Sequence, residues 1–139
     1  MAEIHVGTDV NVSIDKVWSI ISDLDNEPKY WKGTKEIRNI SSDGNIVNRE
    51  ITIAFRDQKC IQKVTTFPKQ KIEAKFTKGI IKGEKILTLT ETHDGCHLEA
   101  NWNMKLSGMM GMFTGMIIKH IQSGTEQALE AIKREAENN

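Results

Sequence analysis

The chain is short of almost everything that announces a function. It has two cysteines, two prolines, one tyrosine and no surplus of either charge among its 139 residues. Cys60 and Cys96 lie far apart in sequence; that is too few for a disulfide scaffold and suits a pair of reduced thiols in a cytoplasmic protein. Lys+Arg and Asp+Glu both number 19, so the basic excess that displaces counterions from nucleic acid is missing. No long hydrophobic run exists either. The longest charge-free apolar stretch, 106–118, is bounded by Lys105 and Lys119 and falls short of the roughly 20 residues that span a bilayer. Gly111 and Gly115 stand at GxxxG spacing, which signals helix dimerisation only inside such a span. Met1–His5 lacks a basic segment leading into an apolar run, so no signal peptide is expected. These absences set aside nucleic acid and stable membrane insertion as partners and point to a cytoplasmic location.

Catalytic and metal motifs are equally sparse. No Ser-His-Asp order, Cys-His pair, P-loop or carboxylate pair has an interpretable spacing, and Asp23 and Asp25 sit where a helix end explains them. His93, Cys96 and His97 are metal-ligand types crowded on one hairpin, but three ligands on one tight turn do not converge and no second cluster completes a site. No metal and no cofactor are expected.

What is present is periodicity. Glu3–Val10 alternates as a strand. Ser13 is a good N-cap for a helix over 14–24, whose Val17, Trp18, Ile21 and Leu24 share a face. Pro28 suits the first turn of a short helix ending near Lys32. Six strands follow: Thr34–Ile40, Ile46–Phe55, Lys59–Phe67, Lys71–Thr77, Lys82–Thr92 and His97–Leu106. Asp94-Gly95 supplies a hairpin signal before the last of them. That strand alternates most cleanly, with Leu98, Ala100, Trp102, Met104 and Leu106 inward. A helix over Met109–Glu137 closes the chain, its inward stripe expected to be Met109, Met112, Phe113, Met116, Ile117, Ile121, Ala128 and Ile132. The length suits one domain, 1–139. The order β-α-α-β6-α predicts an α+β fold: a seven-stranded curved antiparallel sheet wrapped around a long C-terminal helix, with the first strand joining the meander's edge. A curved sheet does not close perfectly on one helix, and the gap becomes a cavity.

This order resembles the helix-grip fold of the START-related (SRPBCC) superfamily, which includes the major birch pollen allergen, polyketide cyclases and coenzyme-Q-binding proteins. The opening strand followed by residues 13–24, with Val17-Trp18 and Asp23, looks like that family, as do Tyr30-Trp31 after a proline and the glycine-containing turn His93–Cys96 before the last strand. The resemblance covers essentially the whole chain. It implies a hydrophobic cavity between sheet and final helix, in a superfamily that hosts carriers, binders and enzymes alike.

Cavity candidates are Ile53, Phe55, Phe76, Leu87, Leu89, Trp102, Met104, Met109, Met112, Phe113, Met116, Ile117 and His120, with Tyr30 and Trp31 at the rim. The methionines are the most conspicuous: four of six fall within 109–116, among Gly108, Gly111 and Gly115. Methionine adapts to varied apolar partners, so the block either lines a pocket or fills a core. His120 is the neutral-pH acid/base candidate if it turns inward. Arg49, Lys63 and Lys85 share strand phase with Ile51, Ile61 and Leu87; they either anchor an anionic ligand group or snorkel to solvent. The expected function is binding or transport of a hydrophobic small molecule or lipid. The rivals are a polyketide cyclase/dehydratase-type enzyme and a protein-interaction module.

Overall fold

The structure is a computed structural model; it describes residues 2–138, and for Met109 and Met110 the backbone only. The elements are β1 (Ala2–Val10), α1 (Ile14–Ile21), α2 (Glu27–Tyr30), β2 (Thr34–Asp43), β3 (Ile46–Ile53), β4 (Lys59–Phe67), β5 (Lys71–Lys78), β6 (Ile81–Thr92), β7 (Gly95–Leu106) and α3 (Thr114–Glu137). The seven strands form one antiparallel sheet in the order β1-β7-β6-β5-β4-β3-β2. The meander runs from β2 to β7, and β1 adds to its edge against β7. This is the curved sheet with a long C-terminal helix that the element order predicts.

Local chemistry explains most boundaries. Ser13 caps α1, its hydroxyl accepting the Lys16 N–H. The helix stops at Ile21, three residues before the expected end, because Asp23 leaves helical geometry and a separate 3-10 turn, Leu24–Asn26, begins. Pro28 stands in the first turn of α2, where its missing N–H costs nothing. β3 ends at Ile53 rather than Phe55; a 3-10 turn over Phe55–Asp57 follows, with Arg56 and Asp57 in the left-handed region. β2 runs on to Asp43 and turns at Gly44. In β6, Gly83 has φ near 122° and faces the β7 backbone so closely that a Cβ would stand 2.0 Å from the Asn103 oxygen. Only glycine permits that approach.

Two departures bear on the site. The last helix begins at Thr114, and Gly108–Phe113 forms a 3-10 segment before it. Met112 and Phe113 therefore lie off the helix, and the spacing that put them on its inner stripe does not apply to them. The second departure is the phase of β4. Cys60, Gln62 and Val64 are buried, while Lys63 is exposed. A register shift against β5 falls at Ile61/Gln62.

α3 lies against β1, β7 and α1. Its buried residues are Ile117, Thr125, Ala128, Leu129, Ile132 and Ala136. They meet a sheet face that includes Ile4, Val10, Leu98, Ala100 and Met104. No described helix is long and apolar enough to cross a membrane.

Candidate functional site

Between the sheet and α3 the packing leaves a cavity of about 410 Å³. Its sheet wall comes from alternate residues of five strands: Ile51 and Ile53 of β3, Gln62 of β4, Phe76 of β5, Ile81 and Lys85 of β6, and Trp102 of β7. Its helix wall is Ile117, His120, Ile121, Ser123, Gly124, Thr125 and Gln127. Glu27, Trp31 and Lys32 close one side, and Gly33, Thr34, Ala54 and Phe55 another.

Aromatic packing shapes the interior. Phe76 and Trp102 stack with centroids 6.1 Å apart. The Trp102 indole N–H donates to the Thr125 hydroxyl at 3.0 Å, and that hydroxyl donates to the Ile121 carbonyl at 2.7 Å. A sheet tryptophan is thus tied to the helix across the cavity. Phe55 approaches Phe113 at 6.3 Å, and the Arg56 guanidinium lies over both rings, at 5.6 and 5.2 Å.

One end of the cavity is charged. Arg49 is 1% exposed. Its Nε donates to Gln62 Oε1 at 2.9 Å, and its Nη2 contacts both Glu27 carboxylate oxygens at 2.9 and 3.0 Å. Register makes this possible, because Arg49 and Gln62 are direct cross-strand partners. Arg49 Nη1 is buried without a hydrogen-bond partner. Lys85, 6% exposed, sets its ammonium 3.8 Å from the Trp31 ring centroid and 5.5 Å from that of Trp102. Burial pushes the Lys85 pKa down; Glu27 opposes that shift and Arg49 adds to it.

The sequence-derived candidates separate clearly. Ile53, Phe55, Phe76, Trp102, Ile117, His120, Trp31 and Lys85 stand on the cavity wall. Trp31 is buried wall rather than half-wet rim. Tyr30 does not line this cavity: it faces a small void with Leu87 and Ile132, and its hydroxyl donates to Glu135 at 3.4 Å. Leu89 and Met104 are core residues away from the wall. Arg49 stands behind the wall, holding two residues that form it. Lys63 points outward, because β4 has the opposite phase. Met112 and Met116 are 78% and 45% exposed, so these two project to solvent instead of lining the cavity. The Met109 side chain lies outside the described residues. Phe113 packs on Phe55 beside the wall. Cys96 points into the core and His97 outward, where its Nδ1 pairs with Asp9 at 2.8 Å.

Among the wall residues that escaped sequence reasoning, Glu27, Gln62 and Thr125 carry side-chain hydrogen bonds at the site. Glu27 reads as an ordinary first-turn acid. Gln62 and Thr125 are polar residues at buried positions, which an apolar stripe misses by construction.

The family model for polyketide cyclase/dehydrase and lipid transport proteins matches residues 1–137. No curated protein sequence matches the chain. Among solved structures, a protein from Thermus thermophilus superposes with a TM-score of 0.82 at 11% identity, covering 97% of each chain. The Zhui aromatase/cyclase from Streptomyces sp. R1128 gives 0.80 at 12% identity, over 99% of this chain and 94% of that one. A START superfamily protein from Mycobacterium smegmatis gives 0.67 at 15% identity, over 94% and 98%. At such identities the likeness is one of fold.

Proposed function

Because the chain belongs to the polyketide cyclase/dehydrase and lipid transport family, we propose that residues 1–139 act as one helix-grip unit that binds a hydrophobic small molecule or lipid between the sheet and α3. The observation that carries this reading is the cavity itself. Its 410 Å³ falls in the range of small-molecule sites and is walled mainly by Ile51, Ile53, Phe76, Trp102, Ile117 and Ile121. At about 30 Å³ per water molecule, it holds about 14 water volumes, enough for a ligand of comparable heavy-atom count. Transfer of apolar surface out of water drives binding, at about 25 cal/mol per Å². Cytoplasmic residence belongs to the same reading, supported by two free buried thiols.

Trp102 on the wall makes intrinsic fluorescence the direct test. Titration with N-phenyl-1-naphthylamine should quench it, and native mass spectrometry should recover a lipid or isoprenoid-like molecule. Ile117→Trp fills the cavity and should weaken probe binding at least tenfold, while Met112→Trp, on a solvent-facing side chain, should leave it unchanged. A folded protein that ignores the probe and a lipid panel refutes the reading.

Acid/base chemistry of the cyclase/dehydratase type is the second reading. The observation favouring it is that Lys85 and Glu27 stand on the wall of a largely apolar cavity, with His120 at its helix side. Turnover of a linear polyketide analogue, abolished by Lys85→Met, would select it over carriage. A filled interior with an exposed apolar patch would favour a protein-interaction role; the cavity supports the binding reading instead.

A further inference from the structure

We propose that the ligand is an apolar monoanion, an aliphatic or aromatic body bearing one carboxylate or enolate-type oxygen, and that its anionic oxygen binds the Lys85 ammonium. This rests on the binding reading above and names the ligand class.

The buried charges do not balance. Arg49 and Lys85 bring two cations; Glu27 brings one anion, and Arg49 occupies both of its oxygens. Lys85 is left over. Its ammonium lies against two indole faces and has no hydrogen-bond acceptor among the described residues. Arg49 Nη1 also lacks a partner. A buried cation with unused donors, on the wall of a space large enough for a ligand, calls for an acceptor carried in by that ligand. The rest of the wall fixes the remainder of the molecule: Phe76, Trp102, Ile53 and Ile117 take an apolar body. The charged groups facing this space are Glu27 and Lys32 from α2 and its end, Lys85 from β6 and His120 from α3, with Arg49 of β3 behind Glu27. A second anion on the ligand would meet Glu27, and a cation would meet Lys85, so one negative charge is the best match. Burial lowers the Lys85 pKa in the empty cavity, and an anion beside it raises the pKa again.

The test is isothermal titration of the wild-type protein with decanoate, 1-decanol and decylamine. Decanoate should bind about 10- to 100-fold more tightly than 1-decanol, as expected for one charge-assisted hydrogen bond, and decylamine more weakly than either. In Lys85→Met the acid and the alcohol should bind within about twofold of each other. Equal binding of acid and alcohol to the wild type overturns this inference alone, and so does a preference that survives in the variant. No binding by any of the three, or by the fluorescent probe, overturns the binding reading with it. The wild-type comparison decides the matter even if the variant does not fold.

Discussion

Lys85→Met exchanges a buried ammonium for an apolar side chain of similar length, and the structure sets the sign of its effect on stability. In the folded protein this ammonium is largely withdrawn from water, on a cavity wall, and lies against two indole faces, at 3.8 and 5.5 Å. A desolvated cation–π contact returns about 2 kcal/mol, against an effective desolvation penalty of several kcal/mol per ion. The balance puts the net cost of Lys85 at about 1–3 kcal/mol near neutral pH, and the variant should be more stable by that amount. For a chain of this size the gain is about 3–9 °C in Tm. It also depends on pH. Burial holds the folded-state pKa of Lys85 below the 10.5 of an exposed lysine. Between that lowered value and 10.5 the unfolded chain binds more protons than the folded one, so raising the pH favours the wild-type fold. The variant's advantage is therefore largest below this window and shrinks through it. Cys60, Cys96 and Tyr30, whose pKa values are raised chiefly by burial, titrate in both proteins and cancel in the difference. Urea melts of both proteins from about pH 6 to about pH 10 measure it. A variant less stable than wild type by about 1 kcal/mol or more at neutral pH, or a difference flat across the range, would refute the reasoning.

Two further outcomes follow from the same geometry. Arg49→Met leaves the nearly buried Glu27 carboxylate without its partner and should cost about 3–5 kcal/mol in urea unfolding; the double variant with Glu27→Gln should recover part of that, and a purely additive cycle would show the pair to be uncoupled. Gly124 lies on the cavity wall within α3, and a Cβ there meets nothing within 4 Å. Gly124→Ala should raise stability by about 0.5–1 kcal/mol through helix propensity while weakening N-phenyl-1-naphthylamine binding by reducing the cavity; a stabilised protein with unaltered affinity would mean that position 124 does not meet the ligand.

How much of this was legible in the sequence depended on whether polarity and burial agreed. In β7 they agree at every step: Leu98, Ala100, Trp102, Met104 and Leu106 are all buried, so strand, phase and inward face could be read together. In β4 they conflict. Ile61 is the hydrophobe of the pair, yet Gln62 faces inward, where it accepts from Arg49, and reading by hydropathy alone inverts the strand and misplaces Lys63. Arg49 and Lys85 could be found because their own strands are otherwise regular. Glu27 could not, since its role depends on an arginine 22 residues away that only the folded chain brings to it. The methionine block misled for a different reason. Composition describes what a segment can touch, whereas the 3-10 geometry of Gly108–Phe113 decides where Met112 points.

The Arg49–Gln62 pair also bears on how the chain chooses among strand alignments. Successive side chains of a strand point to opposite faces, so sliding β3 by one residue would swing Arg49 out to water and leave Glu27 and Gln62 facing an apolar wall with no donor. Hydrophobic alternation alone would penalise such a slip weakly in β4, where Ile61 on the outer face is an acceptable substitute for Gln62 on the inner one. A buried salt bridge with its own cross-strand acceptor makes the wrong alignment expensive. The group that polarises one end of the cavity thus also disfavours a one-residue slip of β3 against β4.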